Sequence, residues 1–159
     1  MAATEALWLT ARSQHSSCDS AFANWRKRSG LTPQLTWQRF ELAALAGERR
    51  LANYLKRFMN AEQETQANQF MRLIRNPSRL AKTSSLDLMD PESRQLGVEV
   101  IKRLIRSNPE AGATVLASYQ PDLTIPAADL ELLQYQLART VIVDEHDWSL
   151  LDAIPTRVK

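Results

Sequence analysis

Leu51, Tyr54, Leu55, Phe58 and Met59 recur in steps of three and four residues, and no stretch of the chain alternates β-branched residues in steps of two. At about 3.6 residues per turn, this spacing lines all five side chains on one stripe of a helix; on a strand it would scatter them over both faces. Such a stripe commits the segment to an amphipathic helix that must bury one face against a neighbour. Trp37, Phe40 and Ala44 mark another helix just before it, expected to stop at Gly47, the residue best able to take a left-handed conformation. Two helices joined by so short a connection are expected to pack antiparallel.

The same reading continues along the chain. Phe70, Leu73 and Ile74 form a third stripe that ends near Asn76-Pro77, because proline disfavours helical geometry in the residue before it. Lys82 to Pro91 reads as the longest loop or the weakest helix, and Asp90-Pro91-Glu92 as an N-cap with proline at the first helical position. Leu96, Val100, Ile101, Leu104 and Ile105 supply the next stripe, and Asn108-Pro109-Glu110 breaks it and restarts a short helix through Val115, Leu116 and Tyr119. A helix from about Ala127 to Val143 carries Leu130, Leu133, Leu137 and Val141, with Leu132 and Tyr135 on adjoining faces. Being apolar on more than one side, it is expected to be sandwiched. Asp144-Glu145 opens a last helix with Trp148, Leu150 and Leu151.

With 44% apolar residues and only 4 glycines in 159, the fold class is all-α, one domain in size. Many short helices with brief connections fit a stack of antiparallel hairpins, a tetratricopeptide-like solenoid segment, better than one four-helix bundle. "ALAGERRLANYL" and "RLIRSNPEAGATVL" echo one another as helix, break, helix, without meeting a strict 34-residue repeat. No apolar run reaches the roughly 20 residues of a membrane span, and "MAATEALWLT" lacks the basic start and long apolar middle of a signal peptide.

The net charge of +2 hides a gradient: residues 1 to 106 hold 17 Lys+Arg against 10 Asp+Glu, and residues 107 to 159 hold 3 against 8. A basic front suits an anionic partner, although solvated helix faces produce the same pattern. The groups "WRKR" (Trp25 to Arg28), "ERR" (Glu48 to Arg50) and "IKRLIR" (Ile101 to Arg106) match no helix-turn-helix or zipper pattern, so no nucleic-acid partner is expected.

Reactive residues are few. Zinc takes three or four ligands, usually in paired clusters, and this chain has one cysteine and two histidines, His15 and His146, far apart in sequence. Neither a metal nor another cofactor is expected. His15-x-x-Cys18 invites a thiolate reading, but Ser16 or Ser17 followed by Asp19 and Ser20 reads more simply as helix capping. The acids around His146 in "DEHDW" lie on different faces of a helix start. The tryptophans Trp8, Trp25, Trp37 and Trp148 sit at apolar helix positions and read as packing residues. No glycine-rich phosphate loop occurs.

"ALWLTARSQHSSCDSAFANWRKRSGLTP", Ala6 to Pro33, and the following "RFELAALAGERRLANYLKRFM" resemble the soluble lytic murein transglycosylases, in which a Leu-Trp-Leu-Thr-like helix end is followed by a loop, Cys-Asp, and a helix with aromatics spaced like Phe22 and Trp25. The stretches Arg94 to Gln120 and Leu130 to Ile154 resemble later helices of that family. The resemblance implies a piece of its noncatalytic, right-handed α-superhelix, which curls into a ring beneath a separate lysozyme-like catalytic domain. The family cleaves the bond between N-acetylmuramic acid and N-acetylglucosamine to a 1,6-anhydro product. One glutamate serves first as acid and then as base.

The family's catalytic glutamate opens a Glu-Ser motif, with Gly-Leu-Met-Gln and Ala-Tyr-Asn-Ala-Gly motifs downstream. Here the sole Glu-Ser pair is Glu92-Ser93, followed by Arg94-Gln95-Leu96, and neither downstream motif is present, so Glu92 reads as a first-turn helix acid. No catalytic residue carries over, and residues 1–159 alone are expected to be an inactive scaffold segment of a periplasmic enzyme. The resemblance also implies that Cys18 is half of a disulfide whose partner lies one hairpin upstream, outside the chain. It makes Arg26, Lys27, Arg28, Arg49 and Arg50 candidates to face anionic glycan strands. Helix faces bared at the ends of a solenoid segment are expected to self-associate. The competing readings are a free-standing helical-repeat adaptor that binds another protein and, less well supported, a basic helical nucleic-acid binder.

Overall fold

The computed structural model describes residues 2–28, 30–82, 86–119 and 125–142. Among them are the helices α1 (Ala2–Trp8), α2 (Asp19–Lys27), α3 (Pro33–Leu45), α4 (Arg49–Leu55), α5 (Ala61–Arg75), α6 (Pro91–Ser107), α7 (Pro109–Ser118) and α8 (Ala127–Thr140), with 3-10 turns at Ser16–Cys18, Lys56–Phe58 and Pro77–Lys82. No strand occurs among the described residues, in line with the all-α expectation. The chain divides into two compact units, Met1–Met71 and Arg72–Lys159.

In the first unit, α3 starts where Thr32 Oγ1 accepts from the Leu35 amide at 3.2 Å and Pro33 takes the first helical position. This is the usual side-chain cap of an orphan helical N–H. It ends as expected, with Gly47 in the left-handed region at φ 78. α4 packs on α3, and together they bury Trp37, Phe40, Ala43, Ala52 and Leu55. The predicted stripe from Leu51 to Met59 does not run as one helix. α4 stops at Leu55 and tightens into the Lys56–Phe58 turn. Only Leu51 and Leu55 of the five are buried, while Tyr54 is 44% exposed and stacks edge-on against Phe58 at 5.4 Å. The tighter turn brings the chain to Asn60, whose Oδ1 accepts from the Gln63 amide at 2.8 Å and opens α5. Periodicity marks the face of a helix, but a cap this close ends the helix before its pattern is exhausted.

In the second unit, α6 buries Leu96, Val100, Ile101, Leu104 and Ile105, all fully inaccessible. Pro91 is its first residue; the Asp90 carbonyl accepts from the Ser93 and Arg94 amides at 3.2 and 3.0 Å, and its carboxylate accepts from the Ser93 hydroxyl at 2.5 Å. The segment expected to be a loose loop or weak helix is anchored where it is described. Leu86 and Leu88 are core residues, and Arg94 donates to the carbonyls of Leu88 and Met89 at 3.0 Å each. At the α6–α7 junction Asn108 Oδ1 accepts from the Ala111 amide at 2.9 Å. α8 packs on α6 and α7 through Leu130, Leu133 and Leu137. The expectation that α8 is sandwiched is not met among the described residues, since Leu132 and Tyr135 are 43% and 68% exposed. Residue 120 and residues 121–124 and 143–159 lie outside the described part, so the proposed last helix, His146, Trp148 and the Leu130 to Ile154 resemblance beyond Ile142 are not placed.

Tyr119 supplies a titration test of this unit. It is buried, and its Oη accepts from the Leu86 amide at 2.6 Å. Burial raises its pKa above the ordinary tyrosine value of 10.0, the Leu86 hydrogen bond opposes the rise, and Asp87 adds to it. The native state therefore holds the phenolic proton more tightly than the unfolded chain. The associated stability is complete below pH ~10 and is lost as pH rises through the raised native value. Urea titrations from pH 8 to 11 are expected to show stability falling above pH ~10, with a shallower fall in Tyr119→Phe. Equal slopes in the two proteins would remove this assignment.

Candidate functional site: an arginine-lined pocket

Trp8 closes α1 and is 1% exposed, its Nε1 donating to the Leu35 carbonyl at 3.2 Å. It gathers Phe22 and Trp25 of α2 at ring-centroid distances of 5.4 and 5.5 Å. These aromatics do the packing expected of them, as does Trp37. Over the Trp8 ring, at 4.2 Å from its centroid, lies the guanidinium of Arg39 from α3, which also sits 5.6 Å from the Phe22 ring.

Arg39 is 4% exposed, its Nε is buried without a hydrogen-bond partner, and it makes no ion pair with any described residue. Burial lowers its pKa from the ordinary arginine value; Tyr54 opposes that shift and the nearby Arg26 charge adds to it. An arginine does not give up its proton under these conditions, so the group remains a buried cation compensated chiefly by aromatic faces.

Beside it opens a pocket of about 560 Å³ lined by Arg26, Arg39, Arg50, Asp19, Tyr54 and Gln14, among others. That volume falls in the range of small-molecule sites, roughly 300–1,000 Å³. Arg26 lies 5.2 Å over the Phe58 ring, and Arg50 projects from the first turn of α4. Of the five basic residues singled out from sequence, the fold thus brings Arg26 and Arg50 together. Lys27, Arg28 and Arg49 are exposed and do not line the pocket. Sequence reasoning passed over Arg39, yet a signal exists: it stands among Thr36, Phe40 and Ala43 on the buried face of "TWQRFELAAL".

Cys18 is half-buried and free. The capping expected of Ser16 or Ser17 is done instead by His15, whose Nδ1 accepts from the Ser17 amide at 3.2 Å. α2 itself begins at Asp19 with no side-chain cap bond. Ser93 is 2% exposed with its hydroxyl bound to Asp90, and the backbone of Glu92 falls in the first turn of α6; the Glu92 side chain lies outside the described part. No group of three or more metal-ligating side chains occurs among the described residues, and no described helix is long and apolar enough to cross a membrane.

No protein-family model matches the chain. It is 28% identical over 112 residues to the soluble lytic murein transglycosylase of Escherichia coli K12, which covers 70% of this chain and 17% of that protein. With the Salmonella typhimurium protein of the same name it shares 26% identity over 145 residues, 91% of this chain and 21% of that one. An inactive mutant of the lytic transglycosylase Slt from Pseudomonas aeruginosa superposes with a TM-score of 0.69 at 26% identity, over 96% of this chain and 24% of that one. The 70-kDa soluble lytic transglycosylase of Escherichia coli superposes with a TM-score of 0.73 at 23% identity, over 98% and 26%. The chain thus spans about a fifth of the curated relatives and a quarter of the solved chains it matches.

Proposed function

Starting from this likeness to a helical stretch of the soluble lytic murein transglycosylases, we propose that residues 1–159 form one noncatalytic segment of a larger superhelical scaffold in a peptidoglycan lytic transglycosylase. The observation that carries the reading is the mismatch in coverage: 98% of this chain against 26% of the 70-kDa enzyme. The use made of the sole Glu-Ser pair supports it, because the Ser93 hydroxyl is engaged with the Asp90 carboxylate at the start of a helix. In this reading the parent acts in the periplasm, where cell-wall murein lies. Its lysozyme-like catalytic domain is outside this chain, and Cys18 pairs with a cysteine of the parent, as disulfides persist in that compartment. Arg26 and Arg50, with Lys27, Arg28 and Arg49 nearby in sequence, give the first unit a basic side toward anionic glycan strands.

The test compares the 159-residue chain with the product of its whole reading frame on purified murein sacculi. The longer protein is expected to release 1,6-anhydromuropeptides and the 159-residue chain none. Sedimented in parallel, the shorter chain is expected to self-associate through bared apolar residues such as Leu132 and Tyr135. Murein turnover by the short chain, or a reading frame that adds no catalytic domain, would sink the proposal. The latter would favour the adaptor reading.

A further inference from the structure

The pocket of the first unit contains a cation that makes no ion pair with any described residue. Arg39 is 96% withdrawn from solvent, its Nε has no hydrogen-bond partner, and two further arginines, Arg26 and Arg50, line the same space. Buried charges in proteins are ordinarily paired, because leaving water without a counter-charge is strongly unfavourable. Stacking on Trp8 and Phe22 offsets part of that cost and occupies the face of the guanidinium, leaving its N–H edge to be satisfied.

We propose that this pocket is a binding site for a small-molecule carboxylate carried on a ring-sized polar body. A planar carboxylate presents two oxygens to an arginine edge, the pairing in which guanidinium is strongest. Asp19, which also lines the pocket, repels any anion and a dianion such as phosphate more strongly than a carboxylate. The remaining lining suits a ring with polar substituents: Tyr54, 44% exposed, offers an aromatic face, while Ser13 and Gln14 offer hydrogen-bonding groups.

The carboxylate assignment stands on the pocket alone, and the choice of N-acetylmuramic acid as probe rests on the scaffold reading. Calorimetric titration of the 159-residue chain is therefore run with N-acetylmuramic acid, with N-acetylglucosamine, which has the ring without the carboxylate, with benzoate and with inorganic phosphate. Binding of N-acetylmuramic acid about tenfold or more tighter than N-acetylglucosamine or phosphate is expected, with a further loss of about tenfold in Arg39→Met and in Arg50→Gln. Should Arg39→Met fail to fold, the rim variants Arg26→Gln and Arg50→Gln decide the matter. Benzoate binding without N-acetylmuramic acid binding upholds the carboxylate pocket while separating it from murein. Equal affinity for the two sugars, no binding of any carboxylate, or unchanged affinity in both rim variants overturns the proposal. So does binding that vanishes in the longer protein, which would identify the occupant as a side chain.

Discussion

Trp8→Ala is expected to cost the first unit about 3–5 kcal/mol, a large share of the roughly 5–15 kcal/mol that holds an ordinary domain folded. The indole is 1% exposed and is the common neighbour of Phe22, Trp25 and Phe58, at centroid distances of 5.4, 5.5 and 6.3 Å. Its removal opens a cavity that rings anchored on α2 and the Lys56–Phe58 turn cannot fill without shifting their helices. Two polar consequences add to the loss. The Leu35 carbonyl loses the Nε1 donor at 3.2 Å, and Arg39 loses the aromatic face 4.2 Å beneath its charge. Trp8→Phe keeps part of the face and is expected to recover about half the loss. Chemical denaturation followed by near-ultraviolet circular dichroism measures both, and a Trp8→Ala protein within 1 kcal/mol of wild type would show that this aromatic cluster is not the core of the unit.

The second large effect is expected at Gly112, where α7 crosses α6. A Cβ at this position would stand 2.7 Å from Ile105 Cγ1 and 2.9 Å from Ile105 Cα. The second atom is backbone, so no rotamer change relieves the clash and the two helices must move apart. Alanine at a helical glycine gains about 1 kcal/mol in propensity, while overpacking costs about 1–3 kcal/mol. Gly112→Ala is therefore expected to be mildly destabilising. Gly112→Val adds two methyl groups into the same crossing and loses part of the propensity gain through β-branching, so a destabilisation of about 3 kcal/mol or more is expected. Thermal melts of the two variants check the order. A Gly112→Val protein as stable as wild type would mean that α6 and α7 are not in contact at Ile105.

Much of this was readable from residue order alone. The stops at Gly47 and Asn76-Pro77, and the starts at Asp90-Pro91 and Asn108-Pro109, depend on backbone freedom and on caps within three residues, so the chain encodes them locally. The stripe Leu96 to Ile105 was legible because one helix face suffices to define it. The resemblance carried by Ala6 to Pro33 likewise pointed to the proteins that superpose on the chain. Less was legible where two local signals compete, as between the 51–59 periodicity and the Asn60 cap, or where a short segment such as Leu86 to Asp90 is tied down by Tyr119 and Arg94, distant or several residues away.

The sequence by itself determined the all-α class, most helix limits and the buried stripe of α6, because these follow from a 3.6-residue period and nearest-neighbour chemistry. Only the tertiary structure decided which charges meet. Arg26, Arg39 and Arg50 stand on three different helices, and no spacing along the chain brings them into one pocket. That convergence comes from α1 and α2 laying their aromatic rings against α3. The same packing turned Arg39 from one of 20 basic side chains into a buried cation whose Nε has no hydrogen-bond partner.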